Sequence, residues 1–174
     1  TEDVVPLPKN IYGVTKTAAE DLCEIVHRTH GLPCVVLRTS RFFPEPDDNP
    51  AVRSGYDDTN AKVNELLYRR ADIADVVTAH LQALERAAAA GFARYIITAT
   101  TPFDPDHLAE LRTNAPSVLK RLLPRYEETY RRRGWVMFPG IDRIYVNEKA
   151  RRELGWNPKY NFDFVLELLD AGEE

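Results

Sequence analysis

The chain has 174 residues, 44% of them hydrophobic, which suffices for one globular core with a small appended lobe. Its net charge of −4 speaks against nonspecific nucleic-acid binding, which needs a basic face. No apolar run approaches membrane-spanning length and no signal-peptide pattern opens the chain, so neither a membrane nor a nucleic acid is expected as partner.

The first predicted element is a helix within Asn10 to Gly31. Ala18, Leu22, Ile25 and Val26 recur at helical spacing, charged residues fall between them, and Gly31 supplies a C-terminal stop. Tyr12 and Lys16 stand four residues apart at its start, one turn apart on a single face. A lysine ammonium so placed favours the phenolate of a tyrosine, whose unperturbed pKa is about 10. Such a tyrosine can exchange a proton with an alcohol or ketone near neutral pH. The bland alternative is a surface helix that begins near a tyrosine. The same spacing recurs at Tyr145 and Lys149, but there it spans the end of a strand-like run and a capping Asn147, so we treat that pair as a decoy.

Cys34 to Leu37 reads as a strand buried on both faces of a parallel sheet. Arg38 to Asn60, rich in Pro, Asp and Asn, reads as a long ordered loop of the kind that carries function. A short helix is expected over Ala61 to Tyr68. A stronger one covers Asp72 to Ala90, with Ile73, Val76, Val77, Leu81, Leu84 and Ala88 as its apolar face. Arg94 to Ala99 reads as a second buried strand. Asp104 and Pro105 then open a mainly helical region, with helices over Asp106 to Arg112, Ser117 to Leu123 and Arg125 to Arg133. A strand over Asp142 to Val146, a helix over Asn147 to Leu154 and a last helix over Asn161 to Asp170 complete the pattern. The alternation predicts an α/β fold: a parallel sheet within residues 1–103, then a smaller helical lobe over 104–174.

Arg131 to Arg133 form the densest basic run, best read as a solvated helix end. Cys23 and Cys34 fit no metal pattern and read as buried free thiols in a reducing cytoplasm. His27, His30, His80 and His107 have no fixed third ligand or nucleophile beside them, so no metal is assigned.

Three blocks in order resemble the C-terminal half of an extended short-chain dehydrogenase/reductase, the NAD-dependent epimerase/dehydratase family. They are Tyr12-Gly-Val-Thr-Lys16 with its helix and the strand to Arg38, then Arg70-Ala-Asp-Ile-Ala-Asp75 through His80, then Ala150 through Leu154-Gly-Trp156-Asn-Pro158. The resemblance implies a partial Rossmann-type sheet with an interleaved insertion, followed by a substrate-binding lobe. It also implies NAD or NADP as cofactor and a nucleotide-sugar-like substrate. By the same resemblance, Tyr12 is the acid/base, Lys16 binds the nicotinamide ribose, and Thr39 lies beside the cofactor. Arg41 stands where many members carry an Asn that touches the substrate diphosphate, and Arg70 is a second candidate for substrate binding, although the family's arginine in that region aligns nearer Tyr68.

The family's Gly-rich pyrophosphate loop has no counterpart among the eight glycines, no two of which lie within five residues of each other. The family's catalytic Ser or Thr is expected further upstream than the eleven residues that precede Tyr12. The chain also opens on Thr, so it is expected to be a fragment that binds no cofactor by itself and is inactive alone. Two readings of function stay open: part of an NAD(P)-dependent enzyme, or a non-catalytic module derived from one. In either case the uncovered sheet and helix faces lead us to expect a homo-oligomer or association with an N-terminal segment.

Overall fold

The computed structural model describes residues 1–172. Its centre is a parallel pair, β1 (Cys34–Thr39) and β2 (Phe92–Ile97), in register Cys34 to Phe92 through Thr39 to Ile97. Side chains alternate across a strand. Val35, Leu37, Tyr95 and Ile97 therefore pack on one face, against α4 (Ile73–Ala90), while Arg38 and Arg94 turn to the other, against α1 (Ile11–His30). The result is an α/β arrangement with a helix on each face of a parallel sheet, followed by a helical lobe.

Asn10 starts α1 by accepting a hydrogen bond from Gly13 N–H at 2.9 Å, and Gly31 ends it at φ 67°, a left-handed turn that glycine adopts without strain. No residue of α1 is buried. Of the expected apolar stripe of α4 only Val76 is buried, together with Ala79 and Ala83, whereas Ile73, Val77, Leu81 and Leu84 are exposed. Small alanines let the helix axis approach the sheet closely, and the bulkier stripe is turned aside.

The stretch expected to be one long loop contains α2 (Pro50–Gly55) and the start of α3 (Asp58–Glu65). Asn49 caps α2 with Pro50 at its first position, and Asp57 caps α3, so the helix predicted from Ala61 to Tyr68 starts and ends earlier. After a 3₁₀ turn at Pro105–His107, α5 (Leu108–Leu122) runs through both helices expected there, kinked at Asn114 (φ −153°, ψ 63°) before Pro116. It is followed by α6 (Tyr126–Arg133), α7 (Glu148–Leu154) and α8 (Phe162–Ala171).

Asp142 to Val146 is not a strand. The outer edge of β2 is already engaged by side chains: Ile96 N–H donates to Glu2 Oε1 at 2.8 Å, and Lys149 Nζ donates to the Arg94 carbonyl at 3.1 Å. The stretch stays unpaired, with Ile144 packed against the core of the helical lobe. Cys23 and Cys34 are free but only half-buried, because α1 is covered on one side alone.

Two cores result. One joins α3 to the helical lobe through Leu67, Leu111, Leu119, Ile141 and Phe162. Asn64 ties it together, accepting from Tyr130 Oη–H at 2.7 Å and donating to the Val136 carbonyl at 2.9 Å. Gly140 passes so close to α5 that a Cβ there would sit 2.4 Å from the Arg112 carbonyl oxygen. The other core packs α4 and the sheet against Ala150, Leu154 and Trp156 of the C-terminal segment.

Candidate active-site cleft

Lys16 lies where the helix spacing puts it, with Nζ 5.2 Å from the Tyr12 ring centroid. Tyr12 is 66% exposed and stands outside the adjoining cleft. That cleft, of about 700 Å³, opens at the carboxyl ends of β1 and β2, the usual ligand position in open α/β sheets. Lys16, Thr17 and Glu20 line it from α1, and Thr39, Ser40 and Arg41 from the end of β1; Arg69, Arg143 and Tyr145 close the far side.

Its floor is an ion-pair clamp. Arg38 grips Glu20 with two hydrogen bonds, at 2.9 and 2.7 Å, and Arg94 joins Glu20 at 2.9 Å and Glu24 at 2.8 Å. The Arg38 hydrogen bonds hold the Glu20 carboxyl below the ordinary carboxylate range, against the opposing effect of burial. Behind the cleft three arginines share two buried carboxylates, Asp47 and Glu65. Arg69 meets Glu65 at 2.7 Å and also bonds Asp47; Arg70 meets Glu65 at 2.8 Å; Arg41 lies 3.7 Å from Glu65 and 4.0 Å from Asp47. Burial alone would raise the Asp47 carboxyl, but the Asn49 N–H and the charges of Arg69 and Arg41 outweigh it and hold it low. The Nε atoms of Arg41 and Arg69 are buried without a hydrogen-bond partner. The cleft is thus lined by cations and suits an anionic ligand.

Of the residues singled out in the sequence, Lys16, Thr39 and Arg41 meet in this cleft. Arg70 does not: it is buried, donates from Nη1 to the Phe43 carbonyl at 3.0 Å, and lines a different cavity. Tyr68, nearest the aligned arginine position, is a partly buried phenol pushed up to about 12 by burial. The decoy pair separates, since Tyr145 lines the cleft while Lys149 Nζ sits over the Tyr95 ring at 5.1 Å. Arg143 and Tyr145 are the residues that sequence reasoning missed. They lie more than a hundred positions from Lys16, and the strand expected there gave no reason to connect them.

His27 and His80 hydrogen-bond to backbone carbonyls, and the His107 ring accepts from Asp104 N–H. Among the described residues no three His, Cys, Asp or Glu side chains are grouped to hold a metal, and no helix is long and apolar enough to cross a membrane.

The second and third sequence blocks also meet. Asp75 accepts hydrogen bonds from the backbone N–H groups of Lys159 and Tyr160, both at 2.8 Å, and the Trp156 indole N–H donates to the Asp75 carbonyl at 3.0 Å. The Leu154-Gly-Trp-Asn-Pro158 turn is thereby pinned to the start of α4.

No protein-family model and no curated protein sequence matches the chain. Its fold does match solved structures. One is the UDP-N-acetylglucosamine 4-epimerase from Bacillus cereus, at TM-score 0.56 and 21% identity, over 98% of this chain and 55% of that one. Another is RMD from Pseudomonas aeruginosa, solved in complex with NADPH, at TM-score 0.54 and 20% identity, over 98% of this chain and 58% of that one. The present chain thus spans little more than half the length of each. The fold is that of part of a Rossmann-like α/β protein.

Proposed function

We propose that this chain supplies the tyrosine–lysine part of an NAD(P)-dependent epimerase/dehydratase or reductase of the extended short-chain dehydrogenase/reductase type, acting on a hydroxyl or keto group of a nucleotide-sugar-like substrate in the cytoplasm. The observation that carries this reading is Lys16 beside Tyr12, next to a cation-lined cleft at the carboxyl ends of two parallel strands. Tyr12 takes or returns the hydroxyl proton of the substrate at its phenol oxygen. Lys16 places a positive charge one helical turn away and offers hydrogen-bond donors to a ribose. Thr39 lies on the cofactor side, and Arg41 holds anionic oxygens of the substrate.

A bound dinucleotide would supply the hydride exchange. The residues here fit only its ribose–nicotinamide end, because no Gly-rich loop occurs within the 174 residues to cradle a pyrophosphate. The 174 residues alone are accordingly inactive, and the complete site needs a second dinucleotide-binding part. In the complete enzyme, Tyr12→Phe should lower turnover about 10²-fold or more while leaving nucleotide affinity in place. Unchanged turnover would remove Tyr12 from the mechanism. The exposed faces of α1 and α4 favour the alternative of a non-catalytic association module only if that variant is silent.

A further inference from the structure

Arg70 marks a second site, and the inference does not depend on the function proposed above. The cavity it lines measures about 580 Å³, within the range of about 300–1,000 Å³ common for small-molecule sites. It shares no lining residue with the Lys16 cleft. Its walls are mostly apolar: Phe42 and Phe43, with ring centroids 4.4 Å apart, lie with Val63, Leu66, Val165 and Tyr160, while Thr59, Lys62 and Asp72 add polar groups beside Arg70. Such a slot accepts a flat, apolar body.

Among its polar groups Arg70 is the unusual one. The Arg70 side chain is 10% exposed, with Nε bonded to Glu65 at 2.8 Å and Nη1 bonded to the Phe43 carbonyl at 3.0 Å. Its Nη2 has no hydrogen-bond partner among the described residues. Unlike Nε of Arg41 and Arg69, that nitrogen reaches open space, where it keeps a donor available to a ligand. Arg41, Arg69 and Arg70 share the buried carboxylates Asp47 and Glu65, and Arg41 also lies 3.7 Å from the exposed Asp48. Lys62, at the cavity's edge, is already held by Asp58 at 2.6 Å.

We propose that this cavity binds a small molecule with a flat apolar body and a single carboxylate head, the body between Phe42, Phe43 and Val63 and the carboxylate on Arg70 Nη2.

The test is calorimetric titration of the 174-residue chain with naphthalene-2-carboxylate and with its neutral carboxamide. The carboxylate should bind about tenfold or more tightly than the amide, as expected for a hydrogen bond to a buried charge. Thr59→Trp, at an exposed position on the cavity wall, should weaken both ligands about tenfold or more by filling the slot. Arg70→Gln should level the two affinities. Since that change also removes a buried ion pair, the acid–amide comparison and Thr59→Trp decide the matter if Arg70→Gln does not fold. Equal affinity for acid and amide would overturn the proposal. So would binding that Thr59→Trp leaves unchanged, which would place the ligand on the exposed faces of α1 or α4.

Discussion

Asp75 shows how one side chain can join distant parts of a chain. It is buried, no ion pair reaches it among the described residues, and its carboxylate is held by two backbone N–H groups more than eighty positions away. Burial pushes its carboxyl above the usual range, and the two hydrogen bonds only partly offset this. Asp75→Ala would leave the Lys159 and Tyr160 N–H groups without an acceptor, while the Trp156 indole keeps its bond to the backbone carbonyl. We expect a loss of about 2–4 kcal/mol, read as a lower urea midpoint at unchanged slope. A midpoint shifted by less than the equivalent of about 0.5 kcal/mol would mean that water replaces the carboxylate without cost.

Between elements, the clamp of Glu20 with Arg38 and Arg94 ties α1 to both strands, and α1 has little else, having no buried residue. Glu20 is lowered in the folded state, so its contribution is fully present above the unfolded carboxylate pKa of about 4.3 and is lost as pH falls through the lower folded value. The stability difference between the parent and Glu20→Gln should therefore be constant from neutral pH down to about 4.5 and shrink below that. Denaturant melts at a series of pH values would show it. A difference that instead grows on acidification would contradict the assigned direction.

The molecule as a whole is one-sided. In β1 the N–H groups of Cys34 and Ser40 turn towards β2, bonding Gly91 and Ile97 carbonyls. By alternation those of Val35, Leu37 and Thr39 turn outwards, and no described residue accepts from them. Leu22 and Ile25 of α1, and Leu81 and Leu84 of α4, are exposed. An open edge beside exposed apolar helix faces invites association, and each large apolar side chain left in water forgoes about 1.5–3 kcal/mol. We expect light scattering to show the 174-residue chain as more than a monomer, and Leu22→Lys with Leu81→Lys to shift it towards monomer. A stable monomer with a cooperative melt would show that the core closes without a partner. Calorimetry should also find NAD affinity weaker than micromolar for this chain, since no Gly-rich pyrophosphate loop occurs within its 174 residues. Micromolar binding would require a pyrophosphate site elsewhere in the 174 residues.

Local chemistry alone determined much of this protein. Helical spacing, Asn10 and Gly31 defined α1 and with it the Tyr12–Lys16 pair, because contacts one turn apart follow from helix geometry. Short apolar runs located both strands, and the helix between them implied parallel pairing. Yet β1 is half-buried along its whole length and β2 is buried only from Tyr95 to Ile97, not covered on both faces as expected. Only the tertiary structure decided which face of α4 is packed, since the sheet selects small side chains for close approach over the more apolar stripe. It also separated Arg41 from Arg70, whose backbones pair side by side although their side chains serve two different cavities. And it brought Arg143 and Tyr145 to the cleft that Lys16 lines, with Ile144 packed against the helical-lobe core, a long-range arrangement that leaves no local trace in residues 142–146.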